Sequence, residues 1–143
     1  REKWPKKKIW LVFQPHQYQR TYYLWKDFVK VLSTLSIEKL ILTDIYDVAG
    51  REEGSIRKKV SSAKLVKAIQ KHKPRYDVLH IPTILEAEKF LKKHLQGQEV
   101  VMVMGAGDIY NLTLALTLRR RSGSSLSLSN GLTRKHPKGK IKA

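Results

Sequence analysis

Residues 9–21 read IWLVFQPHQYQRT, and this stretch decides the fold. It opens with an unbroken apolar run, Ile9 to Phe13, rich in aromatic and β-branched side chains, which is typical of a strand buried on both faces. After it, apolar side chains recur at helical spacing, so one stripe of the following helix is expected to pack inward. The stripe consists of Leu24, Phe28, Val31, Leu32 and Leu35.

The same alternation of strand and helix continues along the chain. Further strands are predicted at residues 40–43, 78–81 and 100–104. Helices are predicted at about residues 21–35, 62–72, 83–95 and 108–120, with Asp108 as the N-cap of the last one. This order predicts a single α/β domain over residues 1–121, with a mainly parallel sheet and helices on both faces.

Three segments carry more local signals. Thr83 and Glu86 have the spacing of a capping box at a helix start. The connection over residues 44–60 is long and crowded with charges, which is typical of a functional or mobile loop. Residues 122–143 form a basic Ser/Gly/Lys-rich extension, for which the pattern leaves two readings open: disorder, or partial packing through its leucines.

Composition excludes several classes of protein. The 143 residues include no cysteine, which rules out disulfides and thiolate metal sites, and the longest apolar run, residues 100–104, is far too short to span a membrane. A soluble protein is therefore expected. Of the formal charge of +17, eight positive charges follow Asp108, where no acidic residue occurs. Without a zinc-finger or RNA-binding aromatic motif, a solvated basic surface is favoured over specific nucleic-acid binding.

Candidate site residues follow the first and fourth strands. The turn after Phe13 carries His16 and Arg20, and a guanidinium fork matches a carboxylate or phosphate. A cation is unfavourable near a helix N-terminus, which favours a functional Arg20 over a solvated one. Gly105-Ala106-Gly107 precedes a helix start that could bind an anion, but the spacing fails as a dinucleotide fingerprint, and a purely structural tight turn remains equally open.

The histidines give no metal-ligand spacing, so no metal site is expected. His80 lies within an apolar strand pattern, which favours a core histidine with a partner.

Taken together, these motifs resemble a known family. The residues 13–16 (FQPH) with Arg20 and Thr21, then DIY at residues 44–46 and GAGDI at residues 105–109, are similar to the C-terminal domain of UDP-N-acetylmuramate:L-alanine ligases of the Mur ligase family. The opening residues 1–5 (REKWP) are similar to the segment that joins this domain to a preceding ATPase domain. The resemblance covers about residues 1–120 and does not extend into the tail.

The resemblance implies a Rossmann-like domain of a three-domain cytoplasmic enzyme of peptidoglycan synthesis. Such an enzyme uses ATP and Mg²⁺ to activate the carboxyl group of UDP-N-acetylmuramate as an acyl phosphate, which the amine of L-alanine then attacks. The N-terminal domain holds the UDP-sugar, the central domain holds ATP and Mg²⁺, and the C-terminal domain closes over both. The sequence contains no G-x-x-x-x-G-K-[ST] motif, so the fragment alone is expected to be inactive.

By the same resemblance, His16, Gln17, Arg20, Thr21 and Tyr46 are expected to line the substrate side of the site. Many family members carry Arg where this chain has Gln17, which leaves more of the anion binding to Arg20. The residues expected to face an anion or nucleotide are Gly105, Ala106, Gly107 and Asp108. Two alternatives stay open: an autonomous nucleotide or acidic-metabolite binding domain, and a basic nucleic-acid-binding protein.

Overall fold

A four-stranded, wholly parallel sheet forms the centre of the protein in a computed structural model, which describes residues 5–47 and 54–118. The strand order is β3-β2-β1-β4. The strands are β1 (Lys8–Phe13), β2 (Lys39–Leu42), β3 (Val78–His80) and β4 (Glu99–Met104). All four predicted strands are therefore present, and the predicted α/β class is confirmed. The predicted extension at residues 122–143 lies outside the described residues.

Helices cover both faces of the sheet, as predicted. They are α1 (Tyr18–Tyr23), α2 (Trp25–Thr34), α3 (Gly54–Arg57), α4 (Ser62–His72), α5 (Ile84–His94) and α6 (Tyr110–Leu118). Alternate residues of β1 point to opposite faces: Leu11 joins the core under α2 and α4, whereas Trp10 and Val12 join the core under α5 and α6. The first strand is thus buried on both sides, and β1 is the central strand around which the domain is built.

The helix predicted over residues 21–35 is two helices, and this part of the prediction was wrong. Leu24 has φ −97° and ψ 18°, outside the helical region, so it ends α1 and precedes α2. The buried stripe is also narrower than predicted: Leu32 is buried, but Leu24 is 43% and Val31 55% exposed. Phe28 and Leu35 pack at the edge of the core as expected.

Helix α5 begins with the predicted capping box. The Thr83 hydroxyl accepts a hydrogen bond from the Glu86 amide at 3.2 Å, and the Glu86 carboxylate accepts one from the Thr83 amide at 3.1 Å. Ala87 and Leu91 below it are fully buried. The hydrogen bonds from Thr83 favour the ionised carboxylate and lower the pKa of Glu86.

The start of the last helix differs from the prediction. A 3₁₀ turn over Gly107–Ile109 comes first, its N-cap is Ala106, and α6 begins at Tyr110. Asp108 therefore lies inside this turn and does not cap a helix. Gly107 adopts φ +76°, a conformation that side chains rarely allow, and this residue directs the chain from β4 into α6. In the described ranges, no helix is long and apolar enough to cross a bilayer.

We expect Thr83→Ala to lower the free energy of unfolding by about 1 kcal/mol, because the capping hydrogen bonds are lost. The stabilisation from Glu86 is complete above the ordinary pKa of a glutamate and is lost as pH falls through its lowered folded-state pKa. The difference in the free energy of unfolding between the wild type and Thr83→Ala should therefore become smaller at acidic pH. Urea unfolding at several pH values measures it, with Thr117→Ala, an exposed helical threonine, as the control. Equal effects of both substitutions would contradict the prediction.

Candidate functional site at the carboxyl edge of the sheet

The topology places the candidate site outside the carboxyl ends of β1 and β4. From β1 the chain moves to β2 and β3 on one side, while β4 lies on the other side, so the strand order reverses at the β1–β4 pair. In open α/β sheets, ligands bind outside the carboxyl ends of the strands at this reversal. The Gln14 amide donates to the Met104 carbonyl at 2.9 Å, which holds the residues after β1 beside those after β4.

Tyr46 joins the loop after β2 to the loop after β1. Its amide donates to the Pro15 carbonyl and its carbonyl accepts from the Gln17 amide, both at 2.8 Å, so a parallel bridge pairs it with His16 beyond the strand ends. The two rings are stacked, with centroids 5.7 Å apart and planes inclined by 19°. Tyr46 therefore fixes both the backbone and the ring of His16.

Two glycines of the loop after β4 allow the three loops to meet. A Cβ added to Gly107 would lie 2.4 to 2.9 Å from ring atoms of Tyr46, and one added to Gly105 would lie 2.9 Å from the Cβ of Gln14. Such distances exclude any side chain without movement of its neighbour. The alternative that these glycines serve only a tight turn explains the φ of Gly107 but not this close contact with Tyr46.

Gln17 occupies a strained conformation at the centre of the site. With φ 65° and ψ 131°, it is the one non-glycine residue with positive φ in the described ranges. Such a conformation costs about 1–3 kcal/mol and persists only where its surroundings enforce it. Here Tyr46 binds the Gln17 amide, while the amide and hydroxyl of Thr21 donate to the Gln17 carbonyl at 3.0 and 2.9 Å. Thr21 is thus fully buried inside α1, with its hydroxyl bonded within the loop.

Arg20 lies in the last turn of the six-residue helix α1, with its side chain exposed to solvent. His16 and Gln17 are partly exposed, as is Tyr46. Within residues 5–47 and 54–118, no ion pair or side-chain hydrogen bond joins Arg20 to the other site residues. The structure therefore brings His16, Gln17 and Gly107 into contact with Tyr46, and Gly105 close to Gln14. Arg20 lies three residues beyond Gln17, in helix α1.

The three relatives described next carry the same name. The chain is 42% identical to the UDP-N-acetylmuramate–L-alanine ligase of Alkaliphilus metalliredigens over 110 residues, which is 76% of the chain and 22% of that protein. It is 39% identical to that of Wigglesworthia glossinidia brevipalpis over 118 residues, 80% of the chain and 22% of the relative. The corresponding enzyme of Neisseria gonorrhoeae gives 35% over 113 residues, 79% of the chain and 23% of the relative.

The chain belongs to the UDP-N-acetylmuramate–L-alanine ligase family and matches one domain of it. It spans between a fifth and a quarter of the length of these curated relatives, 22% for the first of them. No family model matches the chain.

Sequence reasoning missed a cation beside the site of this ligase domain. Arg57, at the end of α3, pairs with Asp47, the residue after Tyr46, and its guanidinium lies 5.2 Å from the ring of Tyr18. The pair ties the loop after β2 to the start of α1. Arg57 stands in the charged connection of the sequence with nothing in its spacing to mark it, and only the folded chain shows its partners.

His80 lies at the end of β3, not in the core as predicted, but it does have a partner. Its Nε2 lies 2.7 Å from Oδ1 of Asp44, and the histidine side chain is 24% exposed. This pair extends the polar edge of the ligase domain from β2 to β3.

Gln14 is a buried polar residue directly after β1. Its side chain is 6% exposed, and Oε1 has no hydrogen-bond partner among the described residues. An unpartnered buried amide oxygen is costly, because most buried polar groups in proteins are hydrogen-bonded. In the described ranges there is also no group of three His, Asp or Glu side chains that could hold a metal ion.

We expect Gly107→Ala to destabilise the ligase domain by about 1–3 kcal/mol. The added methyl group must displace the Tyr46 ring, and alanine is unfavourable at the φ of +76° that this position adopts. The His16 ring should lose its stacking partner, which would shift its NMR resonances through the changed ring current. Gly54→Ala is the matched control, since nothing lies within 4 Å of the added methyl. Unfolding curves and His16 resonances that respond alike to both substitutions would refute the proposed packing.

Proposed function

We propose that the chain is the C-terminal domain of an ATP-dependent ligase that joins L-alanine to UDP-N-acetylmuramate, where it closes over the active site and helps bind the amino acid. One observation carries the proposal. In a chain whose relatives bear this enzyme's name, His16, Tyr46 and Gly107 meet at the sheet edge where an α/β fold binds ligands.

The residues of this domain have binding and positioning roles in the proposal. Arg20, exposed at the edge, offers a bidentate contact to the carboxylate of L-alanine or to a transferring phosphate. His16 faces the same ligands and is oriented by the ring and backbone of Tyr46. Gln17 and Thr21 hold the loop in shape, and the turn over residues 105–108 lies along the same edge.

ATP and Mg²⁺ are assigned to the central domain of the whole enzyme. The described residues of this chain do not fit a magnesium site, because Asp44 is paired with His80 and Asp47 with Arg57, and the sequence has no P-loop motif. When bound there, ATP would convert the muramate carboxyl group into an acyl phosphate for attack by the alanine amine. No step is assigned to these groups in this chain, which alone should be inactive.

The partners in this proposal are UDP-N-acetylmuramate, L-alanine and the N-terminal and central domains of the same enzyme, in the cytoplasm. The whole protein should release ADP only when both substrates are present, and the 143-residue chain should release none. A coupled ADP assay tests both statements. Release of ADP with a different amine or sugar substrate but not with these two would overturn the assignment.

Arg20→Ala in the whole enzyme should reduce turnover or raise the apparent requirement for L-alanine by roughly tenfold or more, since a charge-assisted contact is worth about 1.5–3 kcal/mol. Arg20→Lys should restore only part of the loss, because an ammonium group keeps the charge without the planar fork. Steady-state kinetics with each substrate varied in turn measure the effect.

Lys93→Ala, on the far face of the sheet, is the control and should leave the kinetics unchanged. Thermal unfolding of each variant separates a binding defect from a folding defect. A stable Arg20→Ala enzyme with wild-type kinetic constants for every substrate would show that Arg20 is a solvated surface residue without a role in binding.

A further inference from the structure

The two helical layers of the domain differ sharply in charge. The segments that contain α1 to α4, residues 18–34 and 54–75, carry eleven Lys or Arg side chains and one acidic side chain, Asp27. The segments that cover the opposite face, residues 83–95 and 107–118, carry three basic and three acidic side chains. The net charge of the folded part is therefore concentrated on one side of the sheet, a feature that the sequence alone does not reveal.

Helix α4 shows how this charge is presented. Its buried residues, Leu65, Val66 and Ile69, face the sheet, while Lys64, Lys67 and Lys71 recur on the opposite, exposed side. Helix α2 packs beside α4 and adds two exposed lysines, Lys26 and Lys30. We call these five lysines the basic face. They lie on the outside of a helical layer, so the surface is broad and not a groove.

Exposed apolar side chains stand at one end of this layer. Tyr23 is 71% exposed and Leu24 43%, at the junction of α1 and α2. Next to them, Lys59 lies 5.2 Å from the ring of Tyr22, and Lys64 donates to the carbonyls of Lys58 and Lys59. The aromatic corner and the basic face are therefore joined through the segment between α3 and α4.

We infer that this layer is a docking surface for a lipid bilayer rich in anionic headgroups. Lysines near such a surface are attracted by its negative potential, and tyrosine side chains are favoured at the headgroup level. Leu24 beside Tyr23 supplies the apolar contact that such binding adds to the charge. The inference is independent of the proposed ligase function.

A bilayer fits this surface better than a nucleic acid. Eight of the eleven cations are lysines, whereas the planar fork of arginine suits the recognition of nucleic acids better than an ammonium group does. The rings of Tyr18 and Tyr22 are covered by Arg57 and Lys59, so they are not open platforms for stacked bases.

The test is sedimentation of the 143-residue chain with vesicles at low ionic strength. Vesicles of phosphatidylcholine with phosphatidylserine should bind the chain, and vesicles of phosphatidylcholine alone should not. Each lysine near an anionic surface contributes about fivefold in affinity, so Lys67→Gln with Lys71→Gln should weaken binding by about 25-fold. Raising the salt concentration should weaken the binding of the wild type as well.

The matched control is Lys89→Gln with Lys93→Gln. These two exposed lysines are also four residues apart on one helix and remove the same charge, but they lie on α5, across the sheet. The control pair should change binding by about twofold or less, and thermal unfolding should show all variants folded. Equal weakening by both pairs would overturn the inference, because binding would then follow net charge. Tighter binding to single-stranded RNA than to the vesicles, lost with Lys67→Gln and Lys71→Gln, would also overturn it.

Discussion

The simultaneous pairing of β1 with β2 and β4 is the constraint on which the remaining structure depends. Because β1 is central, its alternate side chains must fill two cores, and it does so with Leu11 on one side and Trp10 and Val12 on the other. Because the pairing is parallel, the carboxyl ends of β1, β2 and β4 lie at the same edge of the sheet. The candidate site is thus a product of the register of β1, since its loops come together only where the neighbouring strands end.

Two residues just beyond the end of β1 adopt states that cost free energy. Gln17 is held at positive φ and Gln14 keeps a buried, unpartnered amide oxygen, and both lie within four residues of the end of β1. Proteins tolerate such costs where the surroundings enforce them, often at functional sites. Here the backbone is held from outside, at Gln17 by the carbonyl of Tyr46 in the loop after β2 and at Gln14 by the carbonyl of Met104 at the end of β4.

The sequence predicted the strands, the parallel sheet and the edge at which the candidate residues meet, because those follow from apolar periodicity and from chain order. It also predicted the capping box, which depends on only four residues, from Thr83 to Glu86. It missed the break at Leu24, since an apolar side chain at helical spacing says nothing about a change of backbone angle. The pairing of Arg57 with Asp47 was equally hidden, because ten positions separate them and no periodicity connects them. Whether His16, Arg20 and their neighbours bind substrates remains a prediction.

The contact between Gly107 and Tyr46 has a consequence for how this family can vary. The Tyr46 ring occupies the space that a side chain at position 107 would need, so the two positions share one volume. A larger residue at position 107 would need a smaller one at position 46 in addition to tolerating the positive φ, and such an exchange would also remove the ring on which His16 is stacked. Sequence drift at these positions should therefore be correlated across three loops that are distant along the chain, and a lineage that gave up the glycine would have to rebuild the support of His16 by another route.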